Sequence, residues 1–317
     1  MNACLEFQGV TKTYRTRQGL LGHRDVAAVA GVDLAVTHGE TLGLVGESGC
    51  GKSTLARLAV RLEPPTSGTV RMEGRDLWTD PDIAHELPRL AQMVFQDPFS
   101  SLNPRLSIGR SVGEGLAAQG QGTAAERRER VLALLEMVGL RPEYAGRYPH
   151  QFSGGQRQRA AIARALALNP KLVVCDEPVS ALDVSIQAQV INILEELQER
   201  LGLTYLFISH DLAVVSHLSD RVAVMYAGRI MELAPAADLY AAPLHPYTRV
   251  LLAAIPVPDP LVRQALSPPR LAVGPGDRGD PACPFAPRCP EAEPACLTET
   301  PLWQEPAPNH FVRCHNA

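Results

Sequence analysis

Short apolar runs alternate with segments of helical period along most of the chain. Residues 3–9 and 32–36 alternate or cluster apolar positions as short strands do, with a polar, glycine-containing insert at 15–25 between them. TLGLV at 41–45 is an apolar strand that runs directly into a glycine-rich turn. From Ser53 onward, Leu55, Leu58, Ala59 and Leu62 have helical spacing, and Pro64-Pro65 ends it. Strands are predicted at 68–73 and 90–95. The stretch 105–148 reads as helical, with Val131, Leu134, Leu135 and Val138 on one face of 124–138, and a further amphipathic helix covers 154–168. Strands at 171–175 and 203–208 flank a long helix at 184–200, and 222–225 and 230–233 surround the turn Tyr226-Ala227-Gly228-Arg229. After Pro235 comes a short helical piece, HPYTRVLLAAI, and then a proline-rich tail. Strands alternating with helices predict an α/β core with a helical insert at about 100–160, and no internal repeat is visible.

Composition narrows the class. A chain of 317 residues suits one large domain or two modest ones, and 45% apolar with 20% charged residues is a globular balance. A net charge of −4 argues against a broad electrostatic grip on nucleic acid. The N-terminus has no basic stretch followed by an apolar one, and no apolar run approaches the ~18–20 residues of a spanning helix. The expectation is a cytosolic chain whose membrane association comes through a partner. Only Lys12, Lys52 and Lys171 spell positive charge as lysine, while the other 27 basic residues are arginines. From Pro235 onward the chain holds 17 of its 27 prolines, and four of its seven cysteines fall in the final 35 residues.

Two segments carry recognisable chemistry. GESGCGKST (Gly46, Glu47, Ser48, Gly49, Cys50, Gly51, Lys52, Ser53, Thr54) fits G-x-x-x-x-G-K-S, follows a strand and opens a helix. Its glycines let backbone N–H groups curl around phosphate oxygens, and the helix N-terminus adds positive potential. Lys52 can reach the β- and γ-phosphates and the Ser53 hydroxyl can ligate Mg²⁺, with Thr54 a weaker candidate beside it. LVVCDEP at 172–178 is an apolar strand ending in two acids. Asp176 would hold Mg²⁺ through water, and Glu177 would polarise the water that attacks the γ-phosphate. Cys175 reads as a small core residue.

With these in place, FSGGQRQRAAIARAL at 152–166 resembles the signature motif of ABC ATPases; Gln96 is similar to their Q-loop, SALD at 180–183 to the D-loop and SHD at 209–211 to the switch histidine. The resemblance covers residues 3–235. It implies a P-loop NTPase core with an antiparallel β subdomain and a helical subdomain, an ABC ATPase domain over 1–235 followed by an extension over 236–317. It further implies that Ser153, Gly154, Gly155 and Gln156 open a helix facing the γ-phosphate held by an opposing subunit, so that ATP is sandwiched between two cassettes. Gln96 would contact Mg²⁺ and the water, His210 would hold the γ-phosphate and water in line, Asp183 would work across the dimer interface, and Tyr14 would stack on adenine.

Within that family VFQDPFSSLNPR at 94–105, HPYTRVLLAAIP at 245–256 and the tail CPFAPRCP resemble ATP-binding subunits of oligopeptide, dipeptide and nickel importers. GESGCGKSTLARL, the insert at 15–25 and QDPFSSLNP look like the second of the two ATPase subunits of such machines. The implied partners are a non-identical ATPase, two transmembrane permeases contacted at about 97–115, and an extracytoplasmic substrate-binding protein. The implied place is the cytoplasmic side of the cell membrane, with peptide as cargo and nickel or another solute as the alternative. Chromosome and repair ABC ATPases would place a long coiled coil between phosphate loop and signature, where only about 100 residues without sustained heptads stand here. A translation factor would carry two cassettes, and a purely ATP-sensing cassette would lack Glu177.

Cys283, Cys289, Cys296 and Cys314 lie in a proline-rich segment with spacings wider than a C-x-x-C knuckle. A cytosolic chain disfavours disulfides. Four thiolates with proline after Cys283 and Cys289 suit a [4Fe–4S] cluster, which related importer subunits are said to carry. Zinc, with His310 or His315 replacing a cysteine, and plain reduced thiols both stay open.

Overall fold

A long antiparallel hairpin, β1 (Ala3–Gln18) and β2 (Gly22–Thr37), forms the first layer. The computed structural model describes residues 3–18, 22–97, 101–254 and 282–317. The centre of the 15–25 insert at 19–21, residues 98–100 of the QDPFSS run and the proline-rich stretch 255–281 lie outside the described residues.

The hairpin corrects the first expectation. Residues 15–18 and 22–25 continue the two strands, with Arg15 opposite Asp25 and Thr16 opposite Arg24. The segment looked like a loop because its polar side chains interrupt the alternation, yet the backbone ladder does not depend on side-chain polarity. Nearer the core the alternation is plain, with Leu5, Phe7, Val32, Leu34 and Val36 buried.

β3 (Thr41–Val45) is buried at every position and leads through the glycine turn into α1 (Lys52–Ala59). β4 (Ser67–Met72) and β5 (Arg75–Asp76) return to the hairpin, giving an antiparallel sheet of order β2-β1-β4-β5. α2 (Ile83–Leu90), unanticipated because Pro88 lies inside it, precedes β6 (Ala91–Val94). The helical insert follows as α3 (Ile108–Ala118), α4 (Ala124–Met137) and α5 (Gly154–Ala165). α4 starts on a reciprocal Thr123–Glu126 capping box and buries Val131, Leu134 and Leu135, as its periodicity predicts. α5 stops short of the predicted 168, tightening into a 3₁₀ turn at Leu166–Leu168 that ends on Asn169 in the left-handed region.

The second sheet holds the molecule together. β7 (Leu172–Asp176), α6 (Val184–Leu201), β8 (Thr204–Ile208), α7 (Leu212–Leu218), β9 (Arg221–Tyr226) and β10 (Arg229–Pro235) follow in order. Strands β9-β3-β8-β7-β6 run parallel, and β3, β7 and β8 are buried throughout, which is why they read as unbroken apolar runs. The extension contributes α8 (Ala236–Ala241), α9 (Pro246–Ala253), α10 (Pro294–Thr298), β11 (Gln304–Ala307) and β12 (His310–Val312). β12 pairs antiparallel with β10, so the sheet order is β11-β12-β10-β9-β3-β8-β7-β6.

That pairing is pinned by a buried carboxylate. Glu232 Oε1 lies 2.7 Å from His310 Nε2 and accepts the Leu244 N–H at 2.8 Å, while Oε2 accepts the His245 N–H at 3.0 Å. Among the described residues no helix is long and apolar enough to cross a membrane. Lys171 is half exposed and pairs with Glu73 at 2.5 Å, whereas the Lys12 side chain is only 13% exposed and donates to the Pro64 carbonyl at 2.7 Å.

Candidate functional site

The parallel strands β3, β7 and β8 end side by side, and the loops leaving them carry the polar side chains. Between β3 and α1 the chain turns through Gly46, Gly49 and Gly51, all at positive φ. At two of them the need for glycine is steric as well: a Cβ on Gly46 would stand 2.1 Å from the Met225 carbonyl oxygen, and one on Gly51 would stand 2.1 Å from that of Ala28. Ser48 and Gly49 face solvent, whereas Cys50 is buried and its thiol pKa is raised by that burial. Lys52 is buried and donates to the carbonyls of Gly46 at 2.7 Å and Glu47 at 3.1 Å. An ammonium curled over its own loop satisfies its hydrogen bonds and stands where an anion in the loop would meet it.

Beside it the Ser53 hydroxyl donates to Asp176 Oδ1 at 3.0 Å. Burial pushes the Asp176 carboxyl upward and the Glu177 charge adds to this, while the Ser53 hydrogen bond opposes it. Glu177 stands at φ 47, a left-handed conformation that costs a non-glycine residue roughly 1–3 kcal/mol, and its N–H is tied to the Ile208 carbonyl at 2.9 Å. The strand-end strain aims its side chain at two neighbours. Gln96, just after β6, donates to Glu177 Oε2 at 3.0 Å, and His210 Nδ1, just after β8, lies 3.2 Å from the same oxygen.

Tyr14 lies on β1, its hydroxyl bonded to Glu63 and within hydrogen-bond reach of Thr54, and the Lys12 ammonium stands 5.2 Å from its ring centre. The ring is thereby placed beside the first turn of α1. The structure thus gathers the loop 46–54, Asp176, Glu177, Gln96, His210 and Tyr14 at one end of the sheet.

The signature residues are set apart from that group. Ser153 caps α5 in a reciprocal box with Gln156, at 3.3 and 3.1 Å, and among the described residues no hydrogen bond joins 153–156 to the loop. Gly155 packs so closely on α6 that a Cβ there would lie 2.3 Å from Ile186 Cγ2. Asp183, at the start of α6, is exposed with no side-chain cap bond, and Val184 beside it is 81% exposed.

Sequence reasoning did not anticipate that the extension reaches the loop. Arg288 grips the Glu47 carboxylate through two bonds of 2.8 Å each, and the Tyr247 hydroxyl accepts the Glu47 N–H at 2.9 Å. The residues lie 241 and 200 positions apart, a separation that no local motif reports.

The four tail cysteines lie in one region of the extension, near enough to influence one another's thiols. Cys283, Cys289 and Cys314 have thiols raised by burial first and by neighbouring cysteines further down. Cys296 Sγ accepts the Glu293 N–H at 3.5 Å and Cys314 Sγ that of Asn316 at 3.4 Å, while nearby backbone N–H groups hold down the Cys283 and Cys289 thiols against the effect of burial. Among the described residues no three of these sulfurs lie within 4.8 Å of one another. His310 is engaged by Glu232, and His315 lies 3.0 Å from the Glu299 carbonyl.

Comparison with known proteins identifies the family. A model of the ABC transporter family matches residues 29–180, and one described as the oligopeptide/dipeptide transporter C-terminal region matches residues 231–296. The chain is 51% identical to the oligopeptide transport ATP-binding protein AppF of Bacillus subtilis, covering 98% of this chain and 96% of that one. It is 47% identical to the di/tripeptide transport ATP-binding protein DppF of Pseudomonas aeruginosa, covering 100% and 98%. A solved dimeric structure, the cassette MJ0796 in a post-hydrolysis state bound to ADP and Pi, superposes with a TM-score of 0.65 at 32% identity, over 73% of this chain and 98% of that one.

Proposed function

The chain belongs to the ABC transporter family as an ATPase subunit that energises peptide import, and we propose that it does so through the residues gathered at the end of its parallel sheet. In this reading the N–H groups of the loop and of the first turn of α1 take the phosphates, and Lys52 leaves the Gly46 and Glu47 carbonyls to meet the β- and γ-phosphates. Ser53 Oγ and Asp176, hard oxygens already in contact, fit Mg²⁺, which supplies neutralisation of the phosphate charge. Glu177 takes the proton of the attacking water, and Gln96 and His210 fix that carboxylate and the water. The observation that carries the reading is the convergence of Gln96 and His210 on one Glu177 oxygen at 3.0 and 3.2 Å.

The signature helix completes the site of an opposing cassette. Exposed Ser153, Asp183 and Val184 support this: Ser153 opens α5 at the surface, and among the described residues Asp183 makes no side-chain cap bond to its own helix. The cassette covers 1–235 and the extension 236–317, and the opposing cassette is a non-identical ATPase. Two permeases bring both to the cytoplasmic face of the membrane, where an extracytoplasmic binding protein delivers the peptide. A groove of about 320 Å³ lined by Leu62, Leu87, Met93 and Phe95, next to the Q-loop, supports permease docking near the predicted 97–115.

The four tail cysteines hold a [4Fe–4S] cluster in this reading. Four converging thiols with N–H donors suit a sulfur-ligated cluster, whose charge such bonds stabilise. Anaerobic purification with iron and acid-labile sulfide analysis tests the cluster, and a colourless protein lacking both ends it.

Reconstitution tests the whole. Proteoliposomes holding the chain, its partner ATPase and both permeases should take up labelled oligopeptide only with ATP and binding protein. Uptake of a nickel chelate in place of peptide would move the cargo assignment, and full transport by a homodimer of this chain would remove the second ATPase.

A further inference from the structure

All three polar groups of Glu47 are held. Its carboxylate lies in the fork of Arg288, its N–H on the Tyr247 hydroxyl, and its carbonyl under the Lys52 ammonium. Two of these three partners come from the extension, beyond the strand where the cassette sheet turns back. They are themselves fixed. Tyr247 and Phe285 are fully buried, and Tyr226, Tyr247 and Phe285 pack mutually in tilted and edge-to-face contacts with centroids 4.6–5.3 Å apart. The Arg288 guanidinium lies 5.7 Å from the Tyr226 ring centre and 5.9 Å from that of Phe285, with its side chain 20% exposed. A planar guanidinium clamped between rings and a carboxylate has little freedom to lose, so it sets geometry as well as charge.

We propose that Arg288 and Tyr247 are positioning residues for the phosphate loop, through which the C-terminal extension sets the affinity of the cassette for ATP. This rests on reading 46–54 as the ATP phosphate loop. The peptide after Glu47 supplies one of the two carbonyls on which Lys52 rests, so a turn of that peptide moves Lys52 and the N–H groups that follow. Arg288 also cancels a carboxylate at the rim of a site for a polyanion; without it, the Glu47 charge faces the triphosphate unopposed. Because Arg288 directly precedes Cys289, the geometry of the cysteine cluster and that of the loop are one mechanical unit.

The test uses the full chain, a fluorescent ATP analogue for affinity and steady-state hydrolysis for turnover. Arg288→Ala should raise the Kd for the analogue and the KM for ATP by about three- to tenfold, the scale of a partly exposed bidentate pair, with kcat at saturating ATP within about twofold. Arg288→Lys should recover part of the loss. Glu47→Gln combined with Arg288→Ala should be no worse than Arg288→Ala alone, since both cut one link. Arg249→Ala breaks a different ion pair of the extension, with Glu291 at 2.8 Å, and should leave Kd unchanged. The proposal fails if Arg288→Ala binds normally while Lys52→Ala loses binding, if Arg249→Ala weakens binding equally, or if the double variant is additive. Normal binding by Lys52→Ala would instead overturn the phosphate-loop reading beneath it. Should Arg288→Ala not fold, Arg288→Lys and Glu47→Gln carry the same comparison.

Discussion

His210 Nδ1 lies 3.2 Å from Glu177 Oε2, the carboxylate oxygen to which Gln96 also donates at 3.0 Å. The two neighbours arrive from different strands, β8 and β6, so the carboxylate between them reports the alignment of the whole parallel sheet. With Glu177 as base, Glu177→Gln keeps the shape and the Gln96 contact region but cannot take a proton. Turnover is expected to fall by about 10²–10⁴-fold while ATP binding persists. Single-turnover hydrolysis alongside nucleotide binding measures both, and near-normal turnover would remove Glu177 from the role.

Ser53→Ala deletes the hydroxyl that Asp176 shares and leaves the buried carboxylate with one donor fewer. The Mg²⁺ concentration for half-maximal hydrolysis is expected to rise about tenfold, the loss of one oxygen donor, with little change in melting temperature. A Mg²⁺ titration of activity in both proteins decides it; an unchanged midpoint would detach Ser53 from the ion.

Gly155→Ala places a methyl 2.3 Å from Ile186 Cγ2, and the two helices must part. A loss of about 1–3 kcal/mol is expected from such overpacking, recovered in part by adding Ile186→Ala, which opens the space. Denaturant unfolding of the single and double variants provides the comparison, and strictly additive losses would contradict the packing.

Burial, aided by Arg249, holds the His245 imidazole down to about 4 in the folded chain, against its ordinary 6.5. Between these values the unfolded chain takes up a proton that the folded chain refuses, so stability falls as pH drops from about 6.5 to 4. His245 Nδ1 accepts the Tyr247 N–H at 2.9 Å and so caps α9. His245→Asn keeps a capping acceptor without titrating, and its melting temperature should fall less steeply over that range. Parallel pH profiles for the two proteins would contradict the assignment.

Legibility followed sequence distance. The loop 46–54 and the strand 172–176 were readable because each packs its chemistry and its secondary-structure cue into fewer than ten adjacent residues. Gln96 and His210 took their meaning only from order along the chain, and the structure supplies the shared oxygen that makes them partners. The extension of β1 to Gln18 and of β2 back to Gly22 was hidden because polar residues there erase the apolar alternation. α2 was hidden by Pro88, which this short helix holds in its last turn at the cost of one backbone N–H. Arg288 and Glu47 were out of reach altogether: a guanidinium in a proline-rich tail gives no hint of a carboxylate 241 positions earlier.

β12 is the strand that covers β10, and its His310 stands 78 positions after Glu232 of β10. Until it arrives, β10 presents an unpaired backbone edge, the kind that recruits other chains. Glu232 meanwhile lacks His310, its side-chain partner from the far end of the chain. The sheet that carries the site is therefore completed by a strand of the extension, and the cassette's own β10 edge stays open until that strand has folded onto it.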